Sequence, residues 1–179
     1  IPQGSALSPL VSDMLLSRID IDLPDEARLV IYADNFLILA KDEGVARAVA
    51  DNLRRAISSH PAGPLTPRTE QSGKAKDGFD FLGYHLYARG SGFAVRPSDY
   101  NRNKFDNRYT SELDKIPLPH NARPGHLKRI KKLENWVKGW CAGFCLWEGM
   151  GEFKTERLIH LKKLKIDIKN ELSSLDRAA

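Results

Sequence analysis

Cysteine is scarce: Cys141 and Cys145 are the only two in 179 residues. Two thiols cannot build a disulfide framework, which points to a reducing compartment and so to the cytoplasm. Four apart on a helical pattern, they also lack the second ligand pair a zinc site needs, so both read as core residues. Long apolar runs are missing too. No stretch approaches the ~20 residues of a membrane helix, and no secretory or transit signal is visible. Low complexity and repeats are absent, and 41% hydrophobic with 28% charged residues excludes a disordered, collagenous or coiled-coil chain. What remains is the composition of a soluble globular protein, able to bury roughly 70% of its unfolded surface.

The charge is uneven. The net +5 divides into 11 Lys+Arg against 12 Asp+Glu over residues 1–97, and 17 against 11 over residues 98–179. The excess is densest at Arg123, Lys128, Arg129, Lys131, Lys132 and Lys138, opposed there by Glu134, with a second group at Lys162, Lys163, Lys165 and Lys169. Basic helix stripes suit a polyanionic partner. The composition shift near residue 97 predicts a boundary between segments 1–97 and 98–179.

Periodicity assigns the elements. Leu7, Leu10, Val11, Met14, Leu15 and Ile19 have helical spacing across Ala6–Ile19, with Ser5 or Ser8 as N-cap and Pro9 in the first turn. Arg28–Ala33 and Phe36–Ala40 read as strands of a hairpin whose turn is Asp34-Asn35. Asp42 caps a helix over residues 43–59, and Pro61, Gly63, Pro64 and Pro67 mark a loop. Asp80–Ala88 and Gly92–Arg96 read as a second hairpin. Three helices follow over Asp99–Lys115, His126–Leu146 and Phe153–Leu175, giving an α+β protein with a helical, basic end. Trp136, Trp140, Phe144 and Trp147 recur at helical spacing and read as core.

The chemistry-bearing residues come as an ordered set. Pro2-Gln3-Gly4-Ser5 with Leu7-Ser8-Pro9-Leu10 is followed by Tyr32-Ala33-Asp34-Asn35 and then by Phe81-Leu82-Gly83-Tyr84. This set resembles the reverse transcriptase family, in particular the bacterial group that includes group II intron-encoded proteins and maturases. The family's Pro-Gln-Gly block, its Tyr-Ala-Asp-Asp box and its Phe-Leu-Gly-Tyr strand match in order over residues 1–97. Gly139-Trp140 looks like a Gly-Trp stretch of the thumb or maturase-specific segment, so residues 105–175 are similar more loosely.

The resemblance implies an α+β fold, a partial polymerase palm of antiparallel sheet and packing helices over 1–97 and a helical thumb over 98–179. It implies RNA-directed DNA polymerase activity, a two-metal nucleotidyl transfer that extends a DNA primer on an RNA template with deoxynucleoside triphosphates. Asp34 would ligate Mg²⁺, with two ions in the complete enzyme and Mn²⁺ as a substitute, and Asn35 would stand beside it in the catalytic box. Tyr32 and Ala33 would lie under the primer terminus. Gln3, Gly4 and Ser5 would border the nascent base pair, where glycine permits close backbone approach. Arg68, or Lys74 or Lys76, would meet the nucleotide phosphates. Phe81, Leu82, Gly83 and Tyr84 would grip the primer. The basic residues Arg123, Lys128, Arg129, Lys131, Lys132 and Lys138 would contact nucleic-acid backbone without reading bases.

Two departures qualify this expectation. The chain opens at Ile1 inside a loop, after the point where the family contributes a further metal-binding Asp. It therefore reads as a fragment that needs a fingers and palm segment, in cis or as a separate chain, and that is inactive alone. Asn35 replaces the second Asp of the box, removing one unit charge beside a divalent ion, worth about 4 kcal/mol at 4 Å and an effective dielectric of 20. The alternative expectation is an RNA-binding, maturase-like or defence-associated protein that keeps the fold without the chemistry.

Overall fold

The computed structural model describes residues 7–60, 63, 66–68, 71–116 and 122–178. It forms two compact units, Ile1–Ser72 and Gly73–Ala179. The protein is α+β, as its sequence patterns predict.

The first unit holds α1 (Ser8–Leu16), β1 (Ala27–Tyr32), β2 (Asn35–Ala40) and α2 (Glu43–Ser58). The helix α1 starts after Leu7, which makes no side-chain cap, and Pro9 sits in its first turn as expected. Strands β1 and β2 pair antiparallel from Ala27↔Ala40 to Tyr32↔Asn35. A hairpin of two strands is marginal alone, and here α2 covers one face of it. That helix begins where Asp42 accepts the Val45 N–H at 2.9 Å, a cap worth about 1 kcal/mol. Val49, Leu53 and Ile57, one face of the amphipathic pattern, are buried. His60, 6% exposed, donates from Nε2 to the Leu15 carbonyl at 2.9 Å and so ties the end of α1 to the end of α2.

The second unit holds the meander β3 (Phe79–Phe81), β4 (Tyr84–Arg89) and β5 (Gly92–Pro97), then α3 (Asp99–Asp114), α4 (Pro124–Gly143) and α5 (Met150–Ala178). The core centres on Phe105, which lies 4.8 Å from the Trp136 ring, 4.5 Å from Trp140 and 5.0 Å from Phe153. Ile130, Val137, Leu161 and Ile168 close the α4–α5 interface. Each such side chain contributes about 1.5–3 kcal/mol of burial.

The compact units part at Ser72/Gly73, while the charge shift falls at residue 97. The meander packs with the helices because Gly83, Tyr84 and Arg89 each bond to the helical region. The Gly83 carbonyl accepts the Ser98 N–H, Tyr84 Oη donates to the Gly143 carbonyl, and Arg89 pairs with Glu148. The reading of both cysteines as core needs correction. Cys141 is buried, but Cys145 is exposed, because α4 ends at Gly143 and not at Leu146.

Candidate functional site

The first candidate site is the β1–β2 tip. The turn is Ala33-Asp34, one residue earlier than the sequence suggests, and Asn35 is the first residue of β2. Ala33 has φ +50°, so a positive φ occupies the first turn position, as a type II′ turn demands. A non-glycine residue held there costs about 1–2 kcal/mol. The tip is open to solvent: Tyr32 is 62% exposed, and Asp34 and Asn35 are exposed too. Asn35 Nδ2 donates to Asp34 Oδ1 at 3.1 Å. Among the described residues, no group of three His, Cys, Asp or Glu side chains is placed to share a cation. Mg²⁺ requires near-octahedral oxygen coordination. One carboxylate with an amide donor pointed at it does not meet that need, so the described residues do not by themselves form a two-metal centre.

Gln3, Gly4 and Ser5 lie outside the described residues. Arg68 is exposed on the short stretch 66–68, in the first unit. Lys74 and Lys76 are exposed in the second unit, at a turn of 3₁₀ helix over Ala75–Asp77.

The second hairpin breaks the predicted strand Asp80–Ala88 in two. Phe81 pairs with Tyr84, and Leu82 (φ +51°) with Gly83 (φ +82°) forms a turn with positive φ at both positions. Leu82 projects at the tip, 43% exposed. Behind it the turn is clamped. The Gly83 carbonyl accepts from the Ser98 N–H at 2.9 Å and from Asn101 Nδ2 at 3.1 Å. Ser98, 3% exposed, is also the N-cap of α3, and Asn101 Nδ2 donates to its hydroxyl at 3.2 Å. A methyl group at Gly83 would stand 2.7 Å from Asn101 Nδ2. The Tyr84 ring meets Phe144 edge-on at 5.1 Å, and burial pushes the Tyr84 phenol above its ordinary value. So Phe81, Leu82, Gly83 and Tyr84 form the turn between β3 and β4, and Ser98 and Asn101, which sequence reasoning missed, hold that turn. The available signal was Ser98 itself, a capping residue directly before the helix at Asp99.

A polar row crosses the same meander. Asp80 Oδ1 lies 2.6 Å from His85 Nδ1, His85 faces Arg96 across β4–β5, and Arg96 bonds Asp99 at 2.5 Å. The Arg96 guanidinium holds the Asp99 carboxyl below the usual carboxylate range.

The basic residues of α4 divide by role. Lys128, Lys131, Lys132 and Lys138 are exposed and make no ion pair among the described residues. Arg129 donates to the Lys115 carbonyl at 3.3 Å, and the Arg123 N–H donates to His126 Nδ1 at 3.0 Å in a capping box. His126 is thus used as a cap. Lys128, Lys132 and Asn135 line the side away from the buried Ile130, Leu133 and Val137. Among the described residues no large apolar side chain is exposed on α4.

No protein-family model matches the chain, and no curated protein matches it. The functional reading therefore rests on these residues and their placement. An open concavity of about 520 Å³ lies at the α4–α5 connection, lined by Cys141, Cys145, Trp147, Glu148 and Lys154 among others, and none of the motif residues lines it. No helix among the described residues is long and apolar enough to cross a membrane.

Proposed function

We propose that the chain is the palm-and-thumb portion of an RNA-directed DNA polymerase, a nucleotidyltransferase that extends a DNA primer on an RNA template with deoxynucleoside triphosphates. The observation that carries this reading is the Tyr32–Asn35 box on a tight antiparallel hairpin whose carboxylate faces solvent. Metal-assisted transfer to a polymer end needs a carboxylate that a bulky substrate can approach from outside. The basic face of α4, with Lys128 and Lys132 exposed, suits a duplex backbone. Divalent ions would lower the charge on the triphosphate and activate the primer hydroxyl in the complete enzyme. Asp34 offers them one ligand, so further carboxylates would come from outside the described residues.

A fingers and palm segment is a partner in this reading. Leu10, Val11 and Met14 form an exposed apolar stripe on α1, continued by Leu7 just before it, and Val30 and Ile31 are 42% and 39% exposed on β1. The exposed stripe of α1 is the kind of apolar surface that marks an interaction face.

A second reading keeps the fold and drops the chemistry: an RNA-binding, maturase-like or defence-associated protein. It draws on Asn35, whose amide donates to the one carboxylate of the box. Primer extension on an RNA template with Mg²⁺, using the product of the whole reading frame that contains this chain, separates the two. The polymerase reading expects extension that Asp34→Ala abolishes. If extension is absent and Asn35→Asp restores it, the second reading holds, and RNA binding then survives Asp34→Ala.

A further inference from the structure

The helix α5 carries two apolar stripes, and its fold uses one of them. Leu161 and Ile168 are fully buried against α4, with Leu158, Leu164 and Leu172 packed beside them. On the opposite side run Ile159, Lys162, Lys163, Ile166, Lys169 and Asn170, a spacing of three and four that defines one helix face. Ile159 is 62% exposed and Ile166 is 48% exposed. They stand two turns apart on one line, with Lys162 and Lys163 between them.

Isoleucine is a poor choice for an exposed helix position on conformational grounds, since its branched side chain loses rotamers there. Lys162, Lys163 and Lys169 are exposed and make no ion pair among the described residues, whereas Lys165, on the inner side, is 3.8 Å from Glu134. No acid interrupts the face between Ile159 and Asn170, because Asp167 lies to one side of it. The face is therefore apolar along its middle, with Lys162 and Lys169 along one margin and Lys163 on the other, where Asp167 lies beyond it.

We infer that this outer face of α5 docks an amphipathic helix of a partner protein, apolar on one side and acidic along its margins. The charge selects the occupant. A second copy of the same face would set lysine against lysine. A nucleic acid would pair the lysines with phosphate but leave both isoleucines in water. The contrast with α4 is direct, since its basic face exposes no large apolar side chain among the described residues. An acidic amphipathic helix covers Ile159 and Ile166 and neutralises the three lysines in one step. This inference does not depend on the polymerase reading.

The test uses the full chain and a fluorescent designed helix with leucine on one face and glutamate on its flanks, read by anisotropy. A matched helix with lysine in place of glutamate, a short RNA duplex and vesicles containing phosphatidylserine are the comparison probes. The glutamate helix is expected to bind. Ile159→Ser with Ile166→Ser should weaken it at least ~10-fold, about 1.4 kcal/mol. Lys162→Glu with Lys163→Glu should weaken it similarly, and Lys128→Glu with Lys132→Glu on α4 should leave it unchanged. The isoleucine pair should leave RNA binding unchanged, and all the substituted side chains are exposed, so circular dichroism should be that of the parent chain. The inference is overturned if the glutamate helix does not bind, or if it binds the isoleucine variant as well as the parent. It is also overturned if the isoleucine variant loses RNA or vesicle binding to the same extent, which would assign the face to those partners.

Discussion

The hydroxyl of Tyr84 donates to the carbonyl oxygen of Gly143 at 2.8 Å, joining the turn end of the β3–β4 hairpin to the last residue of α4. Tyr84→Phe removes one hydrogen bond and should destabilise the second unit by about 1 kcal/mol. The alkaline limb of the stability profile should change with it. Burial raises the folded phenol above its unfolded value, so its contribution is complete below about pH 10 and is lost as pH rises further. Denaturant titrations at neutral pH and above pH 10 should show the variant with the shallower alkaline decline.

Gly83 bears two constraints at once, a φ of +82° and a neighbour that leaves no room for a methyl group. Gly83→Ala should cost about 1–3 kcal/mol. Removing the amide with Asn101→Ala relieves the contact but not the backbone conformation. The double variant should then recover part of the loss, and a double-mutant cycle in urea measures how much.

Asp99 in the first turn of α3 is held ionised by Arg96. Its folded pKa lies below its unfolded one, so this stabilisation is present above about pH 4 and disappears as pH falls below that value. Asp99→Asn should therefore lower stability at pH 7 and lower it less at pH 3. Thermal melts at the two pH values check this.

Ala33 holds the β1–β2 turn at φ +50°. Ala33→Gly relieves that conformation but adds freedom to the unfolded chain, about 0.4–1 kcal/mol in the opposite direction. The net expectation is a gain of about 0.5 kcal/mol, read as slower hydrogen exchange at the β1 and β2 amides. A loss would mean that the turn carries no strain.

Long amphipathic segments were legible in the sequence. The helix capped by Asp42 and the helices containing Ile130 and Leu161 follow from apolar spacing, because burying one stripe dominates their energetics. The hairpin tips were not. Leu82 carries no turn chemistry, yet it adopts positive φ because Ser98 and Asn101 hold the next carbonyl. The turn at Ala33-Asp34 slipped by one residue for a related reason: Asn35, a turn former by type, pairs with Tyr32 as the last rung of the ladder. The candidate site divides in the same way. Its motifs are read directly from residue order, whereas the clamp behind Gly83 is a tertiary arrangement with one local trace, Ser98. The exposure of Cys145 depended on where α4 stops, and a boundary is the part of a helix that periodicity marks least.

The aromatic core of the second unit also has an optical consequence. Trp136, Trp140 and Trp147 are the only tryptophans in the chain, and all three lie in Gly73–Ala179, packed on or beside the Phe105 cluster. The first unit holds a single tyrosine, Tyr32, already in contact with water. Intrinsic tryptophan emission therefore has all its emitters in the helical unit and none in the unit that carries Asp34. A two-state emission curve would report directly on the second unit, and the first needs a probe of its own.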